Sequence, residues 1–200
     1  IIHRSQYDEL SQKVVERVKQ VKVGHPLDTS IKMGPVVSEA QYQKVLSYIQ
    51  IAKDEGAELL LGGNEMEIDG CPGGFFVEPT VFGNVASNMR IAQEEVFGPI
   101  MSLMPYDDLD EAVEIANSTT YGLTAAVWTN NYFTAMELSR SIEAGYVWIN
   151  GVGNHYRGLP YGGYKNSGIG REEGLDEMLS YTEVKSLNFA MGQADRAKNS

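Results

Sequence analysis

Gln93-Glu94-Glu95-Val96-Phe97-Gly98-Pro99-Ile100 is the stretch around which this 200-residue chain is organised. It contains two carboxylates, an aromatic side chain and a Gly-Pro turn, and an apolar run follows as far as Met104. Gly98 can adopt backbone angles that are closed to other residues, and Pro99 pushes its predecessor out of the α region. The stretch therefore predicts an acidic segment that ends in a rigid turn and leads into a strand.

Two interpretations of this acidic stretch remain open from its residues alone. In an extended segment, Glu95 and Phe97 project to the same side. A carboxylate can accept two hydrogen bonds from a ribose diol, and an aromatic ring beside it can pack on a flat heterocycle. In the other interpretation, the carboxylates cap a helix and Phe97 belongs to the core.

The residues that follow alternate between strand-like and helix-like patterns. Strands are predicted at 100–106, 123–129 and 146–149. Between them, apolar residues recur at helical spacing, with Asp107 as the predicted cap of the first helix and Asn130 or Asn131 as that of the second. This order of elements, joined by short links, is typical of an α/β fold with a mostly parallel layered sheet and right-handed crossovers.

Helices are also predicted on either side of this region. A helical face that includes Tyr7, Leu10 and Val14 predicts a helix that begins at Ser5 and ends before Gly24. A second helix begins at Ser38, where Gln41 completes a capping-box pattern, and ends at Gly56. We further predict strands at 1–2, 58–61 and 75–85, a helix at 171–181 with Leu175, Met178 and Leu179 facing inward, and a final strand at 182–190.

The segment 150–170 is the most unusual part of the sequence. It holds seven glycines in 21 residues. Loops at the carboxyl end of a strand in an α/β sheet are where binding sites are built, so we predict a site in this loop. Asn150 either pins a turn at the end of the strand or leads into the site.

Composition excludes several classes of function. The net charge of −11 argues against a nucleic-acid partner and against an anionic membrane surface. No apolar run approaches the roughly 20 residues that cross a bilayer, and no secretory signal is visible. The single cysteine allows no internal disulfide, which fits a reducing compartment, and we predict a cytoplasmic protein. The three histidines are too scattered to predict a metal site.

Five separated segments of the sequence carry recognisable motifs. They are EEVFGP at 94–99, NSTTYGL at 117–123, AGYVWIN at 144–150, PYGGYKNSGIGRE at 160–172 and YTEVK at 181–185. In order and spacing, they resemble motifs of the NAD(P)-dependent aldehyde dehydrogenase superfamily, and any one match is modest, but five in the right order are specific. The resemblance covers nearly the whole chain and corresponds to the C-terminal part of the catalytic domain, after the segment that carries the nucleophile.

The resemblance implies oxidation of a small aldehyde to a carboxylic acid, with hydride transfer to NAD or NADP. In this family a cysteine thiolate attacks the carbonyl carbon, and a glutamate later activates the water that releases the acid. The Gly-Gln-x-Cys type of segment, the general-base glutamate and the nucleotide-binding half are not found in these residues. Cys71 lies in a Gly/Pro loop and does not replace the nucleophile, so we expect no catalytic nucleophile in this chain and no turnover by the chain alone.

Several residues take roles from their positions in the matching motifs. Glu95 corresponds to the glutamate that holds the nicotinamide-side ribose, and Phe97 to the aromatic residue beside that ribose. Glu172 corresponds to a buried glutamate that acts as a proton relay or as a structural ion pair. The residues expected nearest the aldehyde are Gly153, Asn154, His155 and Tyr161.

The resemblance also implies a homodimer or homotetramer. The strand at 182–190 would join the sheet of a partner subunit and satisfy backbone groups at its edge. The residues expected at the subunit interface are Arg171, Glu183, Val184, Leu187 and Phe189.

The expected organisation is a partial catalytic domain at 1–181, an oligomerisation strand at 182–190 and a C-terminal tail at 191–200. One alternative is a truncated, non-catalytic protein that associates with full-length subunits. Another is a branch of the family that transfers the acyl group to coenzyme A instead of water. The residues that choose between NAD and NADP, and those that choose the acyl acceptor, lie outside the matching segments.

Overall fold

Six helices and eleven short strands make up the part of the chain that the structure, a computed structural model, describes, residues 1–189. The predicted tail at 191–200 and Ala190 lie outside these described residues. The helices are α1 (Arg4–Val18), α2 (Glu39–Asp54), α3 (Arg90–Gln93), α4 (Leu109–Asn117), α5 (Tyr132–Ser141) and α6 (Leu175–Ser180). The strands are β1 (Ile2–His3), β2 (Glu58–Leu61), β3 (Glu65–Met66), β4 (Phe76–Val77), β5 (Thr80–Gly83), β6 (Ile100–Ser102), β7 (Pro105–Tyr106), β8 (Tyr121–Gly122), β9 (Thr124–Val127), β10 (Tyr146–Ile149) and β11 (Tyr164–Lys165).

The strands form small sheets with mixed pairing, which confirms the α/β class. The three-stranded sheet has the order β2-β5-β6, with β5 and β6 parallel. Strands β1 and β7 are parallel, as are β9 and β10, whereas β3 pairs with β4 and β8 with β11 in antiparallel fashion. The unit β9-α5-β10 is therefore the parallel crossover that the sequence predicts.

The residues 100–150 do not form one continuous sheet within the described chain, contrary to the simplest form of the prediction. The strand predicted at 100–106 is split, and β6 pairs with β5 while β7 pairs with β1. Strand β9 pairs with β10 and not with either half. The chain changes sheet after Leu103, because the Leu103 N–H still donates to the carbonyl oxygen of Phe82 in β5, whereas the Met104 carbonyl oxygen accepts from the Ile2 N–H in β1.

Helix α2 forms where its capping and apolar spacing predict it. The Ser38 hydroxyl oxygen accepts a hydrogen bond from the Gln41 N–H at 3.3 Å, and Val45, Ile49 and Ala52 are buried. Gly56 ends the helix with a φ of 93°, a left-handed conformation that favours glycine. The Gln41 side chain does not return to Ser38 and instead contacts the acidic loop described below.

The two clusters of buried apolar residues both lie in the first 104 residues. The larger cluster packs α2 on β4 and β5 and includes Val96, and the smaller joins Tyr7, Val81 and Leu103. Beyond Tyr106, the buried apolar residues are Val127, Ala135, Ala144 and Tyr146. The second half of the described chain therefore contributes little to the core.

Three boundaries differ from the prediction. Helix α1 begins at Arg4, capped by His3, and ends at Val18. The cap of α4 is Asp108, because the Asp107 carboxylate is paired with Arg4 instead. Helix α6 is shorter than predicted, because residues 171–174 form a β-bridge and a turn that return the chain to Tyr161.

Two predictions about the C-terminal segment do not hold for the described chain: the apolar face of α6 is not buried, and the final strand is not formed. The side chains of Leu175, Met178 and Leu179 are exposed, so the expectation that they face inward is wrong for the described residues. Residues 182–189 contain no strand, and Val184, Leu187 and Phe189 are exposed. A strand formed with a partner subunit stays a prediction. No helix within 1–189 is long and apolar enough to cross a membrane.

Candidate functional site

The acidic stretch is a loop that one face of α2 holds by its backbone. Gln41 Nε2 donates to the carbonyl oxygens of Val96 and Phe97, at 2.8 and 2.9 Å. Lys44 Nζ donates to the carbonyl oxygen of Glu95 at 2.8 Å. Residues three apart on a helix lie on one face, so Gln41 and Lys44 reach successive carbonyls of the loop. Val96 is buried between these contacts and anchors the loop in the core.

The two carboxylates of the loop have different roles. Glu94 accepts hydrogen bonds from the Arg90 guanidinium, at 2.8 and 2.9 Å, and from the Tyr48 hydroxyl. Arg90, and then Tyr48, lower the pKa of Glu94 from its ordinary value to about 2. Glu94 therefore belongs to the scaffold. Within residues 1–189, the carboxylate of Glu95 has no hydrogen-bond or ion-pair partner, so its oxygens are free to accept from a ligand.

The backbone at Phe97 changes the predicted geometry. Phe97 has a φ of 56°, in the left-handed region that bulky residues rarely adopt. The segment is consequently not extended, and the expectation that Glu95 and Phe97 project to the same side is wrong. The Phe97 ring is 76% exposed and lines a cleft of about 600 Å³ with residues 32–36, Val77 and the Gly98-Pro99 turn. Glu95 lines a different cleft.

The Glu95 cleft joins segments from four of the five motif matches. Its cavity volume is about 710 Å³, within the range of ligand pockets. Besides Glu95, its walls include Tyr121, Gly122 and Leu123 from the second motif, Ala144 from the third, and Asn166 and Ser167 from the fourth. These residues are far apart in sequence, and the fold brings them to one place.

Short polar contacts and close backbone approach hold the cleft walls together. The Gly122 N–H donates to the Ser167 hydroxyl oxygen at 2.9 Å. Lys165 Nζ donates to the carbonyl oxygens of Asn117 and Thr119, at 2.8 and 3.1 Å, near the C-terminus of α4, where a cation is favoured. At Gly145, a side chain would overlap the carbonyl of Gly162, so these backbones can pack only because position 145 carries glycine.

The Gly-rich loop folds back on β10 through an aromatic cluster of Tyr146, Trp148, His155 and Tyr161. The His155 ring stacks on Tyr146, with centroids 5.6 Å apart and planes 14° from parallel. Its centroid lies 4.6 Å from that of Tyr161 and 5.8 Å from that of Trp148. Trp148 Nε1 donates to the Asn154 carbonyl oxygen at 2.7 Å. Tyr146 and Trp148 of β10 thereby hold the loop against this strand.

The structure brings together three of the four residues predicted to border the aldehyde. His155 and Tyr161 belong to the aromatic cluster, and Asn154 contributes its carbonyl to it. Gly153 is exposed and has a φ of 78°, which fits a turn in the loop. Asn150 pins the end of β9, because its side chain accepts from the Thr129 N–H and donates to the Thr129 carbonyl, both at 2.9 Å.

The environments of Glu172 and Arg171 differ from those that the motif predicts. The Glu172 backbone pairs with Tyr161, but its carboxylate is exposed and has no ion-pair partner among the described residues. The expected burial of Glu172 is therefore wrong for this chain. Arg171 donates to the carbonyls of Gly163 and Gly170 at 3.1 and 2.6 Å and so braces its own loop. Roles of Glu172 in proton relay, and of Arg171 and Glu183 at a subunit interface, stay predictions.

Sequence reasoning missed Gln41, Lys44 and Glu173. The spacing of Gln41 and Lys44 defines a helix face, but no local signal tells that this face meets a loop some 50 residues later. Glu173 pairs with His155, 2.7 Å from its Nδ1, and it follows a motif residue without belonging to the motif. Long-range contacts of this kind leave no trace in a single sequence.

The fold is α/β, and residues from four of the five matching segments line one cleft. Comparison with known proteins identifies the family. The model of the aldehyde dehydrogenase family matches residues 1–187. The chain belongs to the aldehyde dehydrogenase family. It is 45% identical over 197 residues to aldehyde dehydrogenase tropH of Talaromyces stipitatus, covering 96% of this chain and 38% of that protein. It is 45% identical over 186 residues to betaine aldehyde dehydrogenase of Mesorhizobium japonicum, covering 93% and 38%.

Solved structures agree with these matches. The chain superposes with a TM-score of 0.85 and 39% identity on betaine aldehyde dehydrogenase from Staphylococcus aureus in complex with NAD⁺, covering 90% of this chain and 36% of that one. An aldehyde dehydrogenase from Bacillus cereus gives a TM-score of 0.86 with 42% identity, covering 92% and 37%. The chain thus spans less than two fifths of the length of these relatives.

Proposed function

We propose that this chain supplies the nicotinamide-ribose wall and the substrate loop of an NAD- or NADP-dependent enzyme that oxidises an aldehyde to a carboxylic acid. The observation that carries the proposal is the Glu95 cleft. Glu95 and segments of three further family motifs line it, although up to about 70 residues separate them in sequence. Family membership and the NAD⁺ complex of the Staphylococcus aureus relative support the choice of cofactor.

The residues of the cleft fit the ribose of a dinucleotide. A vicinal diol offers two O–H donors, and the Glu95 carboxylate has oxygens free to accept both. Lys44 holds the carbonyl of Glu95 and Gln41 holds the carbonyl of Val96, the next residue, so the carboxylate is presented from a rigid loop. The exposed Phe97 ring can pack against an apolar face of the cofactor from the neighbouring cleft. Glu95 and Phe97 would hold the nicotinamide-ribose end of the dinucleotide, which when bound would supply the hydride acceptor for the oxidation.

The aldehyde would lie against the Gly-rich loop. Gly153, Asn154, His155 and Tyr161 border this position in the proposal, and the aromatic cluster supports it by holding three of the four in one place. Glu172 keeps its proposed role as a relay, since its exposed carboxylate can exchange protons with solvent. We assign no nucleophile, because Cys71 lies in a turn between β3 and β4, outside the residues that line the Glu95 cleft.

The same proposal includes the organisation of the assembled enzyme. Residues 1–181 would be part of the catalytic domain, and 182–190 would add a strand to a second subunit in a homodimer or homotetramer in the cytoplasm. The exposed side chains of Val184, Leu187 and Phe189 support such an addition, because strand pairing would cover them. The same exposed segment favours the second candidate, a non-catalytic chain that associates with catalytic subunits.

The test compares the 200-residue chain with the product of the complete reading frame. The chain alone, with Cys71 replaced by serine, should turn over no aldehyde with NAD⁺ or NADP⁺, and turnover by it would contradict the absence of a nucleophile. If the complete product also fails to oxidise aldehydes but forms a complex with an active family member, the second candidate is correct.

In an active product, Glu95→Gln should raise the KM for the dinucleotide about tenfold. Charge-assisted hydrogen bonds each contribute about 1.5–3 kcal/mol, and the amide keeps only part of this acceptor strength. Glu67→Gln is the matched control, since Glu67 is an exposed carboxylate between β3 and β4 and does not line the cleft. An unchanged dinucleotide KM in Glu95→Gln would overturn the assignment of the cleft.

A further inference from the structure

Glu173 contacts the Gly-rich loop at two points and is itself tied to α6 by a third contact. Its carboxylate pairs with His155, with 2.7 Å between Oε1 and Nδ1. Its carbonyl oxygen accepts from the Gly158 N–H at 2.9 Å, and its own N–H donates to the Glu177 carboxylate at 2.7 Å. Its φ of 62° lies in the left-handed region, which residues other than glycine rarely adopt. A strained residue with three tethers is typical of a site whose geometry must be held.

The pair with His155 connects the loop to the scaffold. The ring of His155 stacks on Tyr146, which is 6% exposed and belongs to β10. About a third of each side chain in the pair is exposed, so water screens this interaction less than it screens a pair on the open surface. Without the carboxylate, the ring would keep its stacking contacts but lose the hydrogen bond that fixes its orientation.

We propose that Glu173 is a positioning residue, which holds His155 in the aromatic cluster and thereby fixes the loop that borders the aldehyde. The inference rests on the proposed function for its effect on catalysis, but not for the position of the loop. Glu173 acts through His155 and not by touching the substrate. It lies outside the residues for which the family motifs predict a role.

The first test measures the loop directly, without activity. Trp148 donates to the loop at Asn154, so its shielding reports whether the loop is in place. The second tryptophan, Trp128, is 68% exposed and is replaced by phenylalanine in every variant so that it adds no signal. In this background, Glu173→Ala should raise the acrylamide quenching constant of Trp148 about twofold.

Two further variants make this result specific. Glu173→Gln keeps a hydrogen-bond acceptor of the same length and should restore part of the shielding, and it replaces the alanine variant if that one does not fold. Asp176→Ala removes an exposed carboxylate three residues away and should leave the quenching constant unchanged. Equal quenching in the parent, Glu173→Ala and Glu173→Gln would overturn the inference, as would an equal rise in Asp176→Ala.

The second test uses the active product of the complete reading frame. Glu173→Ala should raise the KM for the aldehyde about threefold to tenfold, while kcat and the dinucleotide KM stay within about twofold. A rise in quenching without a rise in the aldehyde KM would show that Glu173 positions the loop and that the loop does not border the aldehyde. A change in dinucleotide KM alone would contradict the inference.

Discussion

Replacing Gly163 by alanine tests whether close backbone packing builds the wall of the Glu95 cleft. Gly163 is buried, and its φ lies outside the left-handed region, so only space forbids a side chain. A Cβ atom there would lie 2.5 Å from Ser167 Cβ, 2.7 Å from its carbonyl oxygen and 2.8 Å from its carbonyl carbon. None of these atoms is the end of a flexible side chain, so the backbone itself has to move.

The size of the movement sets the expected effect. Ordinary contacts of a Cβ atom begin at 3.4 Å, so the two chain segments must separate by about 0.6 to 0.9 Å. Overpacking of this kind costs typically about 1–3 kcal/mol, and we expect about 3 kcal/mol because rigid backbone is involved. The shift also weakens the hydrogen bond from the Gly122 N–H to the Ser167 hydroxyl, since Ser167 is the residue that is pushed away.

Thermal unfolding followed by circular dichroism measures this change, with Gly151→Ala as the matched control. Gly151 lies in the same Gly-rich segment, but the nearest atom to its Cβ would be 4.0 Å away and its φ is not left-handed. For a chain of this size we expect the Tm of Gly163→Ala to fall by about 6–12 °C and that of Gly151→Ala to stay within about 2 °C. A loss of less than about 1 kcal/mol in Gly163→Ala would refute the reasoning.

Two further predictions concern the acidic loop. The pKa of Glu94 is about 2 in the folded chain, below its ordinary value of 4.5, so its contribution is complete above that ordinary value and is lost as the pH falls from about 4.5 toward 2. The Tm difference between the parent and Glu94→Gln should consequently be largest above about pH 5 and shrink toward zero near pH 2, and a difference independent of pH would contradict the pairing with Arg90. Phe97→Asn should raise the free energy of unfolding by about 1 kcal/mol in a urea titration, because Phe97 is 76% exposed and asparagine tolerates its left-handed backbone. A destabilised Phe97→Asn variant would show that the ring is held by contacts and not by strain.

The elements that local patterns determine could be predicted from the sequence. The capping hydroxyl of Ser38, the buried stripe of α2 and the β9-α5-β10 crossover all appear where the spacing of residues predicts them. Local rules failed where a distant segment decides the conformation. The backbone of Phe97 is left-handed, and Gln41 and Lys44 bind the carbonyls of Phe97 and Glu95. The assumption of an extended strand therefore placed the Phe97 ring on the wrong side relative to Glu95.

In the candidate site, too, the sequence indicated individual residues but not the long-range contacts between them. The motif matches identified Glu95, His155 and Tyr161, but they could not show that Glu95 and Phe97 face separate clefts. They also could not find Glu173, because a hydrogen bond between His155 in the loop and a residue that follows the loop depends on how the loop folds. Motif spacing thus selects candidate site residues, but it does not predict which of those residues face each other.

Several large apolar side chains in the second half of the chain are exposed to solvent. Helical spacing correctly identified Leu175, Met178 and Leu179 as one apolar set, yet all three are exposed, as are Trp128, Tyr132 and Phe133 near β9. An apolar pattern predicts that a face is buried, but it does not predict which segment packs against that face. Large exposed apolar patches on a protein mark sites of association. The assembled enzyme of the proposed function would bury these side chains, and so the chain alone should associate in solution through them, including the three residues of α6 that the sequence predicted to lie inside.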